Sequence, residues 1–270
     1  MNWQDWKNEY FQIMQQLGFN TEADKRSAQL LKEFLIELMP IKKEKILQKL
    51  KAILQEPVII AGAGPSLEED VSTLFSTEIM SNLRSIAVDG ATTFLRNENI
   101  VPSIVVTDLD GDWKSIRWAI NNGALTLIHA HGDNKQQISR FITQNSEIIS
   151  NNYVWGTTQC EPGQVLLNFG GFTDGDRAIF LAFHFQSPLI GLIGFDFGYI
   201  IGRYSTLDSP IKKSKRKKLE KFKIARKLLA SYHSQHKGLR FNLTCQGQSI
   251  SGFPKVKLTC FIKKWSQWNK

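Results

Sequence analysis

PSIVVTDLDGDWKSIRWAI, residues 102–120, holds the pattern that decides the fold. It begins with PSIVV (102–106), a short, β-branched and unbroken apolar run. A strand reads this way when both its faces are buried in a parallel sheet. It ends with WKSIRWAI, where apolar residues fall at three-to-four spacing, the period of a helix. Between the two stand three aspartates at alternate positions, Asp108, Asp110 and Asp112. Strand, polar cluster and helix in this order form the repeating unit of an α/β protein.

The same unit recurs on either side. Apolar runs VIIA (58–61), SIAV (85–88), SIVV (103–106), LTLIHA (125–130), YVW (153–155) and LIGLIG (189–194) alternate with helix-patterned segments at 66–77, 91–98, 112–122 and 134–144. The alternation predicts a three-layer α/β fold with a doubly wound, mostly parallel sheet. A further β element is expected within 239–245. Residues 1–54 show helical spacing in WQDWKNEYFQIM and SAQLLKEFLIELM and no strand-like alternation, with Pro40 separating two helices. The expected organisation is an N-terminal helical cap over 1–54 and an α/β domain over 55–270. That domain carries a basic helix within 212–236, and Trp265 and Trp268 dock the tail on its body.

Bulk composition narrows the function classes. Lys and Arg number 34 against 25 Asp and Glu, a net charge of +9 over 270 residues, which favours anionic partners. The cysteines are Cys160, Cys245 and Cys260, an odd set without CxxC spacing, so a disulfide framework or zinc site is not expected and a reducing compartment fits. The N-terminus lacks the apolar core of a signal peptide, and PLIGLIGFDFGYIIG (188–202) is too short and too broken by Asp196 to span a bilayer. The expectation is a cytoplasmic protein without a membrane partner.

In a doubly wound sheet, ligands sit beyond the carboxyl ends of the strands. Five polar clusters follow the proposed strands: GAGPS (62–66), DGA (89–91), TDLDGD (107–112), HGDN (131–134) and GFDFG (194–198). TDLDGD is the strongest. Carboxylates this close repel unless a cation, a proton or donors sit among them. Asp108 and Asp110, two apart in extended chain, point the same way and make a hard oxygen site suited to Mg²⁺. Asp112 is better placed as the N-cap of the next helix. GAGPS is half of a dinucleotide fingerprint, with Leu67 where the third small residue belongs. It suits either backbone contact to a phosphate or a tight turn with Ser66 as N-cap. Asp89 is either a helix cap or a ligand contact.

The remaining candidates carry weaker signals. The HxH pair His129 and His131 lacks a third zinc ligand nearby, and a neutral His129 packed in the sheet is the plainer reading. Asp133 faces the same rim as Asp108 and Asp110. GGFTDGDRA (170–178) reads as a helix entry with Thr173 or Asp174 as cap and Arg177 in the first turn. KKSKRKKLEKFKIARK (212–227) holds ten Lys or Arg. It suits a solvated helix face, a clamp on a triphosphate, or a nucleic-acid patch, and its lone aromatic, Phe222, argues against base stacking.

Taken in order, GAGPSL, DGA, PSIVVTDLDGD, HAHGDN, GGFTDGDRA and GFDFG resemble the motif series of the archaeal 6-hydroxymethyl-7,8-dihydropterin pyrophosphokinases, a group related to the motility accessory factor proteins. The resemblance covers residues 57–245. The middle of the chain is also similar to thiamin pyrophosphokinases, whose strand–DG–A element DGA matches. Ser103, Thr107 and Gly111 depart from their second element, and HGDN replaces their third, which points away from thiamine.

The resemblance implies Mg²⁺-dependent transfer of diphosphate from ATP to the pterin hydroxymethyl group, with release of AMP, on the way to a tetrahydromethanopterin-like or folate-like cofactor. On this resemblance the catalytic residues are Asp108, Asp110 and Arg177, and the metal ligands are Asp108, Asp110 and Asp133. Gly62, Gly64, Pro65, Ser66 and Asp133 would face ATP, with a lysine from 212–218 near the leaving AMP. Asp89, Asn134 and Asp196 would face the pterin, whose 2-amino group and N3–H suit a carboxylate. A glycosyltransferase-like nucleotide-sugar domain of the motility accessory group is the alternative, and a nucleic-acid binder leaves the acidic clusters without a role. A homo-oligomer is left open.

Overall fold

A computed structural model describes residues 2–38, 42–75, 83–205 and 215–268. Pro40, residues 212–214 and the end of the 66–77 segment lie outside the described residues. Among the described residues the sheet has seven strands: β1 (Val58–Ala61), β2 (Arg84–Val88), β3 (Ile104–Thr107), β4 (Leu125–Ala130), β5 (Val154–Thr158), β6 (Leu189–Ile193) and β7 (Leu239–Asn242). Their order is β5-β4-β3-β2-β1-β6-β7, and every pairing is parallel. The chain steps outward from β1 to β5, then crosses back to place β6 on the other side of β1. The topological switch point therefore lies between β1 and β6, where an α/β sheet opens its ligand crevice.

Alternate residues of the strands feed two separate cores, one on each face. Val58, Ile60, Ile86, Val106 and Leu127 belong to the larger one. Ile59, Ala61, Ala87, Val105 and Ile193 belong to the smaller. This two-faced burial is the physical reason the strands read as unbroken apolar runs. On the smaller side pack α4 (Leu67–Phe75), α5 (Ala91–Asn97) and, through Phe261, α11 (Leu258–Trp268). Helix α6 (Trp113–Asn121) puts Ile116 and Ile120 into the larger core and Ala119 into the smaller. Helices α7 (Lys135–Gln144), α8 (Ser146–Ser150), α9 (Asp174–His184) and α10 (Lys215–Tyr232) contribute to the larger core.

The N-terminal segment forms α1 (Trp3–Leu17), α2 (Thr21–Leu38) and α3 (Lys43–Leu54). Trp6, Leu31, Ile46 and Leu50 are fully buried in the larger core, alongside the strand residues. Helix α2 lies close to β5 because Gly156 has no side chain: a Cβ there would sit 2.8 Å from Leu35 and 2.9 Å from Leu31. Between α1 and α2 the chain reverses at Gly18, whose φ of 65° is left-handed and closes α1. Asn20 then caps α2 through its Oδ1, which accepts from the backbone N–H of Glu22 and Ala23 at 2.9 and 3.3 Å. That sharp turn aims Phe19 and Asn20 at the carboxyl ends of the strands.

Three features went beyond the sequence pattern. Strand β5 runs on through Gly156, Thr157 and Thr158 past the apolar YVW, because polar threonines there bond across to β4. Helices α8 and α11 were not anticipated. Trp265 packs on the smaller core as expected of the tail, whereas Trp268 is 53% exposed.

Because α2 shares the larger core with the sheet, Leu31→Ala is expected to lower unfolding free energy by about 2–5 kcal/mol, measured by urea denaturation. A loss well under about 1 kcal/mol would show that α2 is only loosely attached.

Candidate functional site

The carboxyl ends of β1, β2, β3, β4 and β6 open into one cleft of about 940 Å³. This is the upper end of the range for small-molecule sites, about 300–1,000 Å³. Its wall includes Gly62, Gly64, Pro65, Asp89, Asp108, Asp110, Asp133, Asn134, Arg177 and Asp196. Of the residues that the resemblance assigned to the site, Ser66 alone is not part of this wall. Phe19, Asn20, Ala23 and Asp24 close one side from the N-terminal helices, and Arg216, Lys217, Lys218 and Lys221 of α10 close another. Part of the basic run, at the start of α10, is thus turned toward the cleft.

At the switch point the turn after β1 is locked against the turn after β6. Gly62 N–H donates to Ile193 O and Gly64 N–H to Gly194 O, both at 2.9 Å. A Cβ on Gly64 would fall 2.1 Å from Asp196 Oδ2, so glycine is required by close approach of the two loops. Asp196 Oδ2 accepts from Ser66 N–H at 3.2 Å and lies 3.0 Å from Ser66 Oγ. Asp70 accepts from Gly194 N–H and Cys245 N–H, both at 2.8 Å. These contacts revise the phosphate-cradle expectation. The N–H groups of Gly62, Gly64 and Ser66 are spent on β6 and on Asp196, and a carboxylate already occupies the start of α4, where an anion would sit. Asp196, raised from its ordinary range by burial against the hydrogen bonds from Ser66, ties the crossing together and also lines the cleft.

The acidic group lies at the ends of β2 and β3. Register pairs Val88 with Val106, so Asp89 comes opposite Thr107, whose Oγ1 donates to Asp89 Oδ1 at 2.8 Å. Thr107 Oγ1 also accepts from Leu109 N–H at 2.9 Å, and Asp108 Oδ1 accepts from Asp110 N–H at 3.1 Å. Asp89 and Leu109 both hold positive φ, 38° and 66°, a strained conformation for side-chain-bearing residues. Gly111 makes room: a Cβ there would lie 3.0 Å from both Asp89 carboxylate oxygens. The outcome is that Asp89, Asp108 and Asp110 each bring an oxygen within 4.8 Å of the others. Burial, then the charges of Asp110, Asp108 and Asp174, hold the Asp89 carboxyl well above its ordinary range. Three converging hard oxygens whose mutual repulsion a cation relieves suit a divalent metal. Asp112 stands apart and caps α6, accepting from Lys114 and Ser115 N–H at 3.0 and 3.1 Å.

The loop after β4 supports Asp108. Asp133 N–H donates to His131 Nδ1 at 3.3 Å, which leaves the ring proton on Nε2 to donate to Asp108 Oδ2 at 3.0 Å. This His131 contact was missed in the sequence, where the HxH pair was weighed only for zinc. His129 is buried and bonds Thr157 Oγ1 at 2.9 Å through Nδ1. Burial, reinforced by Arg177, holds it well below its ordinary range and so neutral. Asn134 is also buried, and its amide donates to Asp108 O and His129 O at 2.8 and 2.7 Å while its Oδ1 accepts from His131 N–H. Both of its amide hydrogens are used in holding the loop, while the residue also lines the cleft. Asp133 is exposed at the rim and lies outside the group that Asp89 completes.

Thr173 and Asp176 form the capping box of α9, and this fixes the first turn that carries Asp174 and Arg177. Arg177 reaches the cleft with its guanidinium held at both ends, to Asp174 Oδ1 at 3.0 Å and Gln159 Oε1 at 2.8 Å.

A family described as 6-hydroxymethylpterin diphosphokinase MptE-like matches residues 32–202, most of the described sheet and both sides of the acidic group. The chain belongs to this family. A 6-hydroxymethyl-7,8-dihydropterin pyrophosphokinase of Pyrococcus furiosus is 39% identical over 233 residues, 85% of this chain and 93% of the relative. Proteins of the same name from Methanothermobacter thermautotrophicus and Methanocaldococcus jannaschii are 39% and 36% identical over 82% and 76% of this chain, and 91% and 84% of the relatives.

Because the folded state raises the proton affinity of Asp89, its ionisation costs stability as pH rises through its folded-state range. In metal-free buffer at pH 7, Asp89→Asn is therefore expected to raise Tm. Added Mg²⁺ is expected to raise the Tm of the wild type and not that of the variant. A lower Tm for Asp89→Asn without metal would show that donors hold this carboxylate, and that it is not frustrated.

Proposed function

We propose that this chain transfers a diphosphoryl group from ATP to the hydroxymethyl oxygen of 6-hydroxymethyl-7,8-dihydropterin, releasing AMP. The observation that carries the proposal is the group of three carboxylates at the ends of β2 and β3, inside a cleft roomy enough for two ligands, in a chain of this family. The acceptor oxygen bonds to the β-phosphorus as the bond from that phosphorus to the α,β-bridging oxygen breaks. Such a transfer needs positioning and charge neutralisation more than covalent chemistry from the protein.

Asp89, Asp108 and Asp110 would hold Mg²⁺, with Asp133 at the rim facing the nucleotide. Bound there, Mg²⁺ supplies charge neutralisation along the triphosphate and polarises its phosphorus–oxygen bonds. His131 fixes the carboxylate of Asp108 through Nε2, so Asp108 meets the ligand in one orientation. Arg177, braced by Asp174 and Gln159, presents a fixed positive charge to the phosphate that changes hands. Arg216, Lys217, Lys218 and Lys221 lie along the cleft wall where charge on the departing AMP is offset. Lys218 Nζ donates to Ser205 O at 2.8 Å, tying α10 to the chain that crosses over Gly90. The turn between α1 and α2 and the first turn of α2 close one side of the site. Cytoplasmic location fits the free cysteines, and among the described residues no helix is long and apolar enough to cross a membrane.

The products separate this reaction from simple phosphorylation. With ATP, Mg²⁺ and the pterin, AMP and pterin diphosphate are expected by ³¹P NMR, with no product from thiamine. EDTA and Asp108→Asn are each expected to stop the reaction, and Arg177→Ala to lower kcat by about 10³-fold. ADP with pterin monophosphate, or turnover that persists in EDTA, would contradict the proposal.

A further inference from the structure

Helices α1 and α2 both bond to Gln159, which directly follows β5 and lines the cleft. Trp6 Nε1 of α1 donates to the Gln159 backbone carbonyl at 2.9 Å. Asp24 of α2 accepts from Gln159 Nε2 at 2.8 Å. The other end of the same amide, Oε1, accepts from Arg177 at 2.8 Å. Gln159 is 4% exposed and Asp24 3%, so neither bond competes with bulk water. Asp24 is held in turn by Tyr10 Oη at 2.8 Å and by Gly132 N–H at 2.6 Å, the latter in the loop that carries His131.

We propose that Gln159 is a positioning residue for Arg177, and that through it the N-terminal helices set the guanidinium against the transferred phosphate. This rests on the diphosphoryl-transfer reading above. The chemistry of the side chain fits the task. An amide has one donor end and one acceptor end, so between a carboxylate and a guanidinium it settles in one orientation. With Asp174 on its other nitrogen, the guanidinium is gripped from both sides and its planar fork has little freedom left. Glutamate at 159 would face Asp24 with like charge, and a leucine would leave Arg177 held by Asp174 alone. The same carboxylate that orients Gln159 also holds the loop behind His131, so α2 aligns the arginine and the metal-facing aspartate together.

The test is a double-mutant cycle of Gln159→Leu and Arg177→Lys, read as kcat and KM with ATP, Mg²⁺ and pterin, with Tm recorded for each protein. Gln159→Leu is expected to lower kcat about 10- to 100-fold while KM for the pterin stays within about threefold, the behaviour of a misaimed charge. In the Arg177→Lys background the same change is expected to lower kcat by less than about twofold, because residues acting as one unit are not additive. Independent, multiplicative losses in the two backgrounds would overturn the proposal, whatever the Tm values, since a purely structural role lowers both backgrounds alike. Should the wild type release no pterin-dependent AMP, the function reading fails separately. The cycle is then read as Mg·ATP affinity by titration calorimetry, where non-additive weakening supports the coupling and additive weakening, or affinity independent of Arg177, rejects it.

Discussion

The rest of the site depends on one unfavourable contact: the carboxylates of Asp89 and Asp108–Asp110 brought together by parallel pairing of β2 and β3. Parallel register places the ends of the two strands side by side, and their side chains have nowhere to separate because both sheet faces are packed. Thr107 and the N–H groups of Leu109 and Asp110 order the turn without neutralising it. Burial and the residual repulsion show as a raised proton affinity at Asp89, in a turn where Asp89 and Leu109 both hold positive φ. A fold that holds like charges in register at this cost is prepared for a cationic ligand, since the ligand relieves what the apo protein must tolerate.

Around that centre the fold divides its labour. The β1–β6 crossing is closed, with the N–H groups of Gly62, Gly64 and Ser66 and the carboxylate of Asp70 bonded within the protein. It sets the back of the cleft. The front is assembled from distant parts of the chain: α9 supplies Arg177, α10 a row of basic side chains, and the N-terminal helices Phe19 and Asp24. Part of the positive charge, which composition alone left among several partners, is thereby gathered along the cleft wall.

How much of this was legible in the sequence follows from how local each feature is. The parallel sheet was legible because burial on both faces leaves an unbroken apolar run, and the cap at Asp112 because a helix start is a local event. Asp108 and Asp110 were legible from their alternate spacing. The inclusion of Asp89 in place of Asp133 was not, because it follows from cross-strand register between β2 and β3, which no single segment records. The fate of Ser66 depends on Asp196, 130 positions away in sequence, and that of Asn134 on the carbonyl of Asp108. A glycine-rich turn looks the same whether its N–H groups meet a phosphate or a neighbouring strand. The link from α2 to Arg177 through Gln159 was invisible for the same reason, as each of its bonds joins separate elements.

The most direct test of the acidic group as the cation site is anomalous diffraction from crystals grown with Mn²⁺ and a non-hydrolysable ATP analogue. The expected result is a manganese peak bridging oxygens of Asp89, Asp108 and Asp110 and the triphosphate. A peak bound elsewhere, or a triphosphate bound with no ion among these three carboxylates, would contradict it.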